Sequence, residues 1–317
     1  MLTIWLAIAI TAALLTSGCT GNESDDPPRS SSKTQKTDDT TAESADDVVE
    51  TEEDINIGGR TMYLRCWGKR VPGEPTVLLL SGSDLDTSSW QLMAADFATD
   101  GHHLCAYDRL GVGRSDAPTE ARRTTKNQVD DLVALLDAAD LQEPVVLAAH
   151  SLGSLPAVGL VDRAPERVAG VVLVDPWSPR VSTAQRAALP PKKPNESPEL
   201  TEERRFLNEH LYDPAQNREH LLLAENDEQA ARLLDEPGPI FGDLPVVVLK
   251  APPLPYLPAL PRRYHEATVA AMDEGAEEFA AESRRGTLTK VEKTGHNIQA
   301  DRPKVVMDAI LDVISMS

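Results

Sequence analysis

The sequence predicts an α/β fold, a mostly parallel central sheet flanked by helices, and three observations carry that reading. Short apolar runs recur at residues 76–80 (TVLLL), 145–149 (VVLAA), 169–174 (AGVVLV) and 244–250 (LPVVVLK). Runs of this length read as buried strands, since a parallel sheet is covered on both faces. Between them lie segments of helical period. Residues 125–139 place Val129, Leu132, Val133 and Leu136 on one face, and residues 303–314 form a last helix with Pro303 at its start. The third observation is the stretch 145–156, VVLAAHSLGSLP, where an apolar run breaks into Ala149-His150-Ser151-Leu152-Gly153 and continues as a helical pattern to about residue 162. Strand and helix in alternation demand a doubly wound sheet.

The elements follow in order. The chain has 317 residues, 41% hydrophobic, enough for one large domain with an appendage. Its net charge of −20 excludes nucleic acid as a partner, which needs a basic face. Residues 2–15 are apolar and uncharged, too short for a confident span, and end in Leu15-Thr16-Ser17-Gly18-Cys19. This resembles a bacterial lipoprotein signal, cut after residue 18, with Cys19 as the lipidation site. The resemblance implies an exported protein, lipid-anchored to the outer face of the cytoplasmic membrane. The other reading is an ordinary secretory signal and a secreted protein. Residues 19–54 are rich in Ser, Thr, Asp and Glu and poor in large apolar residues, so they are expected to form an acidic, disordered tether. The folded domain is expected over residues 55–317.

That domain opens with strands in residues 55–67, turning at Gly58-Gly59. The strand at 76–80 enters Ser81-Gly82-Ser83-Asp84, with Trp90 a few residues on. Residues 103–107 form the next strand and enter Tyr107-Asp108-Arg109-Leu110-Gly111-Val112-Gly113-Arg114-Ser115. No Gly-Lys-Ser/Thr follows these glycines, so this is not a phosphate loop. The elbow at Ser151 has the small-x-Ser-x-small spacing in which a nucleophile sits on a tight strand-to-helix turn. After a last strand at 288–291 comes Thr294-Gly295-His296-Asn297. Taken together, these blocks resemble the α/β-hydrolase superfamily from Ile55 to the C-terminus. The Tyr-Asp-x-x-Gly-x-Gly-x-Ser block is the most specific match, and its Asp108 and glycines are expected to shape a loop beside the site.

The resemblance implies the fold, with a helical cap inserted at about residues 178–242. In that insertion helices are expected at 201–211 and 216–234, and Leu221-Leu222-Leu223 either faces the pocket or packs cap on core. It also implies Ser151 as nucleophile, His296 as base, and the backbone N–H groups of Ser83 and Leu152 as the oxyanion hole. A Ser–His pair needs a carboxylate to hold the imidazole tautomer. The usual place is the loop after residues 244–250, but residues 251–261 contain five prolines and no Asp or Glu. Asp175, one strand earlier, stands where some lipases of the superfamily carry the acid, and Glu266 is the reserve candidate. His150 is expected only to pack or bond locally.

The implied function is hydrolysis of a small-molecule carboxylic ester through an acyl-enzyme, in the carboxylesterase class. Neither a metal cluster nor a cofactor motif is expected. The alternatives are a hydrolase of amide, thioester or lactone bonds, or a non-catalytic envelope binding protein on a hydrolase scaffold. With Cys19 set aside, Cys66 and Cys105 are an even pair in an exported protein. Their strands are neighbours in the superfamily's sheet, so a Cys66–Cys105 disulfide is expected.

Overall fold

The computed structural model describes residues 49–317. The export segment, Cys19 and the tether as far as residue 48 lie outside the described residues. The first elements form a hairpin of β1 (Glu50–Asn56) and β2 (Thr61–Trp67). The Asn56 carboxamide accepts the N–H groups of Gly58 and Gly59, whose φ of 87° and 94° only glycine adopts freely. β1 thus takes in Glu50–Asp54, which were expected to belong to the tether. Glu50–Asp54 make an exposed outer strand, paired through backbone bonds to β2, and Arg65 and Arg114 lie over Glu50 and Glu52. The exposed part of this edge strand, Glu50–Asp54, needs no apolar residues, which is why its composition read as tether.

The remaining elements alternate as expected: β3 (Val77–Leu80), α1 (Gln91–Thr99), β4 (Leu104–Tyr107), α2 (Thr125–Ala138), β5 (Val145–His150), α3 (Ser154–Arg163) and β6 (Val168–Val174). Three helices follow, α4 (Val181–Ala188), α5 (Pro198–Asn208) and α6 (Leu223–Leu234). The sheet then resumes with β7 (Gly242–Lys250), α7 (Arg262–Ala281), β8 (Ser283–Lys290), α8 (Ile298–Asp301) and α9 (Pro303–Met316). Among the described residues the strands form one eight-stranded sheet in the order β1-β2-β4-β3-β5-β6-β7-β8. The β1–β2 and β2–β4 pairs are antiparallel and the others parallel.

Alternation along the strands divides the core in two. Leu78, Leu80, Leu147, Ala149 and Leu173 face one way, onto Val129, Leu132 and Leu136 of α2 and Val158 of α3. Val77, Leu79, Val146, Ala148 and Val172 face the other, onto Phe97 of α1 and Ile310 and Val313 of α9. With both faces covered, the central strands are apolar along most of their length. Each fully buried Val or Leu adds roughly 1.5–3 kcal/mol to the fold.

Cys66 and Cys105 stand opposite each other in the β2–β4 register and form a disulfide, with Cα atoms 4.0 Å apart. In the insertion, the stretch 217–222 is not helical. His220 and Leu222 spend their backbone groups on Arg123, whose N–H donates to the His220 carbonyl (2.8 Å) and whose carbonyl accepts from Leu222 (2.9 Å). Leu221, Leu222 and Leu223 are buried.

Candidate active site

β5 ends at His150, and Ser151 takes φ 50°, a left-handed conformation that a serine adopts only when its surroundings hold it there. The turn needs close backbone approach. A Cβ on Gly153 would lie 2.7 Å from the carbonyls of both Leu80 and Ser81, so the start of the elbow helix rests on the end of β3. A Cβ on Gly82 would lie 3.3 Å from the Ser151 Cβ and 2.8 Å from His150 Nδ1. The loop of Ser83 is thus pressed against the turn at Ser151. Leu152, next in the chain, is buried.

Asp175 follows β6 directly and also sits at positive φ, 43°. Its N–H bonds to the Leu249 carbonyl of the neighbouring β7 at 2.7 Å. Its carboxylate reaches across to His296, where Nδ1–H donates to Oδ2 at 2.6 Å. That fixes the tautomer: the neutral ring keeps its proton on Nδ1 and leaves Nε2 as the basic atom. Glu266 lies exposed on α7, so Asp175 is the carboxylate that meets His296. Two residues beyond Asp175, the Trp177 N–H donates to the carbonyl of Ser151 at 3.2 Å, which ties the acid loop to the elbow. Asp108 plays the expected structural part. Its carboxylate accepts the N–H groups of Thr87 and Arg114, each at 2.8 Å, and closes the loop around Gly113.

Three features were not read from the sequence: two side chains, and the reach of His150 to His296, which lies 146 residues on. The first is Lys250, the last residue of β7, buried with its Nζ 3.1 Å from Asp175 Oδ1 and 3.5 Å from Asp273. Asp175 Oδ1 also accepts the Ala251 N–H at 3.0 Å. Burial pushes the Asp175 carboxyl up, but the bond and charge of His296, the Lys250 cation and the Ala251 N–H outweigh it and hold it below its ordinary value. The second is His150. Its Nε2 lies 3.1 Å from the His296 carbonyl, which can only accept, so Nε2 carries the proton. The two rings lie 4.7 Å apart. Burial first, then the neighbouring His296, pushes His150 down to about 3, so it stays neutral and braces the His296 loop. The third is Arg109, whose guanidinium bonds to the Ser81 and Gly82 carbonyls and to Glu219. A basic residue at the end of the strand where an acid is usual could have pointed to Lys250. The partner of Arg109 lies 110 residues away and leaves no local signal.

A family model described as "Alpha/beta hydrolase family" matches residues 77–309. The chain belongs to the alpha/beta hydrolase family. It is 34% identical over 122 residues to the non-heme chloroperoxidase of Streptomyces lividans, covering 38% of this chain and 43% of that protein. It is 32% identical over 105 residues to the cis-3-alkyl-4-alkyloxetan-2-one decarboxylase of Shewanella oneidensis, covering 32% of each. The chain thus spans well under half the length of these curated relatives. Among solved structures, the enol-lactonase from Burkholderia xenovorans shares the fold at 19% identity, with a TM-score of 0.55 over 84% of this chain and 100% of that one.

Proposed function

We propose that this alpha/beta hydrolase is a serine hydrolase of carboxylic esters. Ser151 Oγ attacks the ester carbonyl while His296 Nε2 takes the hydroxyl proton, and Asp175 stabilises the resulting imidazolium. The carbonyl oxygen becomes an oxyanion, stabilised by the N–H groups of Ser83 and Leu152. Collapse expels the alcohol, which receives the proton from His296. Water, deprotonated by His296, then releases the acid and restores Ser151. The observation that carries this reading is the 2.6 Å bond between His296 and Asp175, joined by backbone contacts to a serine held at positive φ. A thioester or lactone carbonyl would meet the same groups, and only the leaving group differs.

The test is turnover by the purified protein of activated esters of increasing acyl length, against matched thioesters, lactones and anilides. Hydrolysis that prefers esters and disappears in folded Ser151→Ala supports the proposal. Wild-type turnover in that variant refutes it. The anchored location is also a proposal, supported by the residues up to Cys19. Cys19→Ser is expected to release the protein from the membrane fraction, and unchanged association contradicts lipidation there.

A further inference from the structure

Arg109 takes no part in the steps above, yet it is 5% exposed and bonded on every side. Nη1 donates to the Ser81 carbonyl at 2.6 Å and Nη2 to the Gly82 carbonyl at 2.8 Å. On its other edge, Nε donates to Glu219 Oε2 at 2.8 Å and Nη2 to Oε1 at 2.9 Å. Glu219 is 3% exposed and accepts a third bond from Gln128 Nε2 at 2.8 Å. It belongs to the segment between α5 and α6, so one partner comes from the insertion and the others from the end of β3. The insertion also touches the loop that carries Arg109: a Cβ on Gly111 would lie 2.2 Å from the Arg218 carbonyl.

A buried ion pair is weak evidence for stability, because desolvation offsets much of its attraction. What a guanidinium adds is geometry, a planar fork that holds several acceptors in fixed directions. Here two of those acceptors are successive backbone carbonyls. In a planar trans peptide the C=O and N–H point to opposite edges. Gripping the Gly82 carbonyl therefore sets the direction of the Ser83 N–H, and gripping the Ser81 carbonyl sets that of the Gly82 N–H. This is the segment that lies against Ser151.

We propose that Arg109, held by Glu219, is a positioning residue that orients the Ser83 N–H as an oxyanion donor, so the hole forms only while the insertion is docked. The inference rests on the serine hydrolase reading. It makes the 217–222 segment part of the catalytic scaffold as well as a covering for the core.

The test is Arg109→Lys and Glu219→Gln in the full chain, with near-UV circular dichroism to establish folding. A lysine cannot span both carbonyls and the carboxylate. Arg109→Lys is expected to lower kcat on an activated ester by about 10²-fold, the scale of losing one oxyanion donor. KM is expected to stay within about threefold, because uniform binding is left intact. Affinity for a boronic acid, whose tetrahedral adduct carries the oxyanion, is expected to fall with kcat. Glu219→Gln is expected to produce a smaller loss of the same kind, and it carries the test if Arg109→Lys does not fold. A folded variant with wild-type kcat, or with raised KM and unchanged kcat, overturns the clamp while fluorophosphonate labelling of wild-type Ser151 leaves the hydrolase reading intact. Wild-type protein that takes no label at Ser151 overturns that reading, and the clamp's role with it.

Discussion

Two buried cations flank the elbow, and they meet the site in different ways. On the acid flank, Lys250 touches the Asp175 carboxylate itself, 3.1 Å away, so its charge acts directly on the proposed acid. On the oxyanion flank, Arg109 touches only main-chain carbonyls and Glu219, so its effect is on the direction of peptide groups. The first flank is assembled from the ends of adjacent parallel strands, β6 and β7, whose register sets Val174 beside Leu249. The second is assembled from a loop and an insertion far apart in sequence. Substitution on the acid flank should therefore change how activity responds to pH. Substitution on the oxyanion flank should change rate alone.

The largest expected effect is at the acid. Asp175→Asn keeps the shape but removes the carboxylate, and should lower kcat by roughly 10⁴-fold with the fold unchanged. Glu266→Gln, on the exposed face of α7, should leave kcat near wild type. A larger loss at Glu266 would dissolve the acid flank as described.

Lys250→Met comes next and sharpens the comparison. The groups facing the Asp175–His296 pair are charged Lys250 from β7 and Asp273 from α7, and the neutral His150 from β5. Removing the cation leaves the imidazolium less opposed. The acid limb of kcat/KM should then move to higher pH, with a fall in kcat smaller than for Asp175→Asn. Arg109→Lys should lower kcat across the whole profile without moving the limb. Equal limb shifts in the two variants would show that the flanks do not differ. The stability sign follows from the lowered folded pKa of Asp175. Its contribution is present above its unfolded value near 4 and is lost as pH falls through the folded value. Lys250→Met should therefore unfold at a higher pH on acidification.

Away from both flanks, the Cys66–Cys105 bond joins β2 to β4 and closes 39 residues. In the chain-entropy model it adds on the order of 4 kcal/mol, so reduction should lower Tm by roughly 10 °C while the folded protein keeps its kcat at 25 °C. Lost activity without lost stability would place the bond closer to the chemistry than the sheet order does.

The smallest effect concerns Asp227 of α6, which accepts from Trp177 Nε1 at 2.9 Å and Ser182 Oγ at 2.7 Å. Burial pushes it up to about 7, against the two donors that act to lower it. A raised folded pKa means the folded state holds the proton more tightly than the unfolded chain. Stability linked to this group is greatest below pH 4 and is lost as pH rises from about 4 through about 7. Asp227→Asn should flatten that loss, by about 2 kcal/mol between pH 5 and pH 7 in urea titrations. An unchanged slope would contradict it.

The fold was legible because both faces of the sheet are covered, which writes each central strand as an unbroken apolar run. Ser151 and Asp175 directly follow the apolar strands β5 and β6, and Cys105 lies inside β4, whereas His296 follows the exposed edge strand β8 and was placed only by the Gly295-His296 pair after the last strand. What escaped has no periodic signature. Glu50–Asp54 form a strand through backbone pairing alone, and their acidic side chains read as spacer. Residues 217–222 look helical in composition, but the His220 carbonyl and the Leu222 N–H are taken by Arg123 from another part of the chain. Arg109 stood inside the recognised Tyr107–Ser115 block, yet its purpose depends on Glu219 and on carbonyls of the β3 loop. Side chains that act through the main chain of a distant loop become visible only once the loops are brought together.

The central claim is that Ser151 is the nucleophile between these flanks. The direct measurement is to react the native full-length protein with a fluorophosphonate and locate the adduct by peptide mass mapping, beside heat-unfolded protein and Asp175→Asn. One stoichiometric adduct on Ser151 in the native protein, absent after unfolding and strongly slowed in Asp175→Asn, is the expected result. Native, folded protein with no adduct, or with its adduct on another residue, would contradict it.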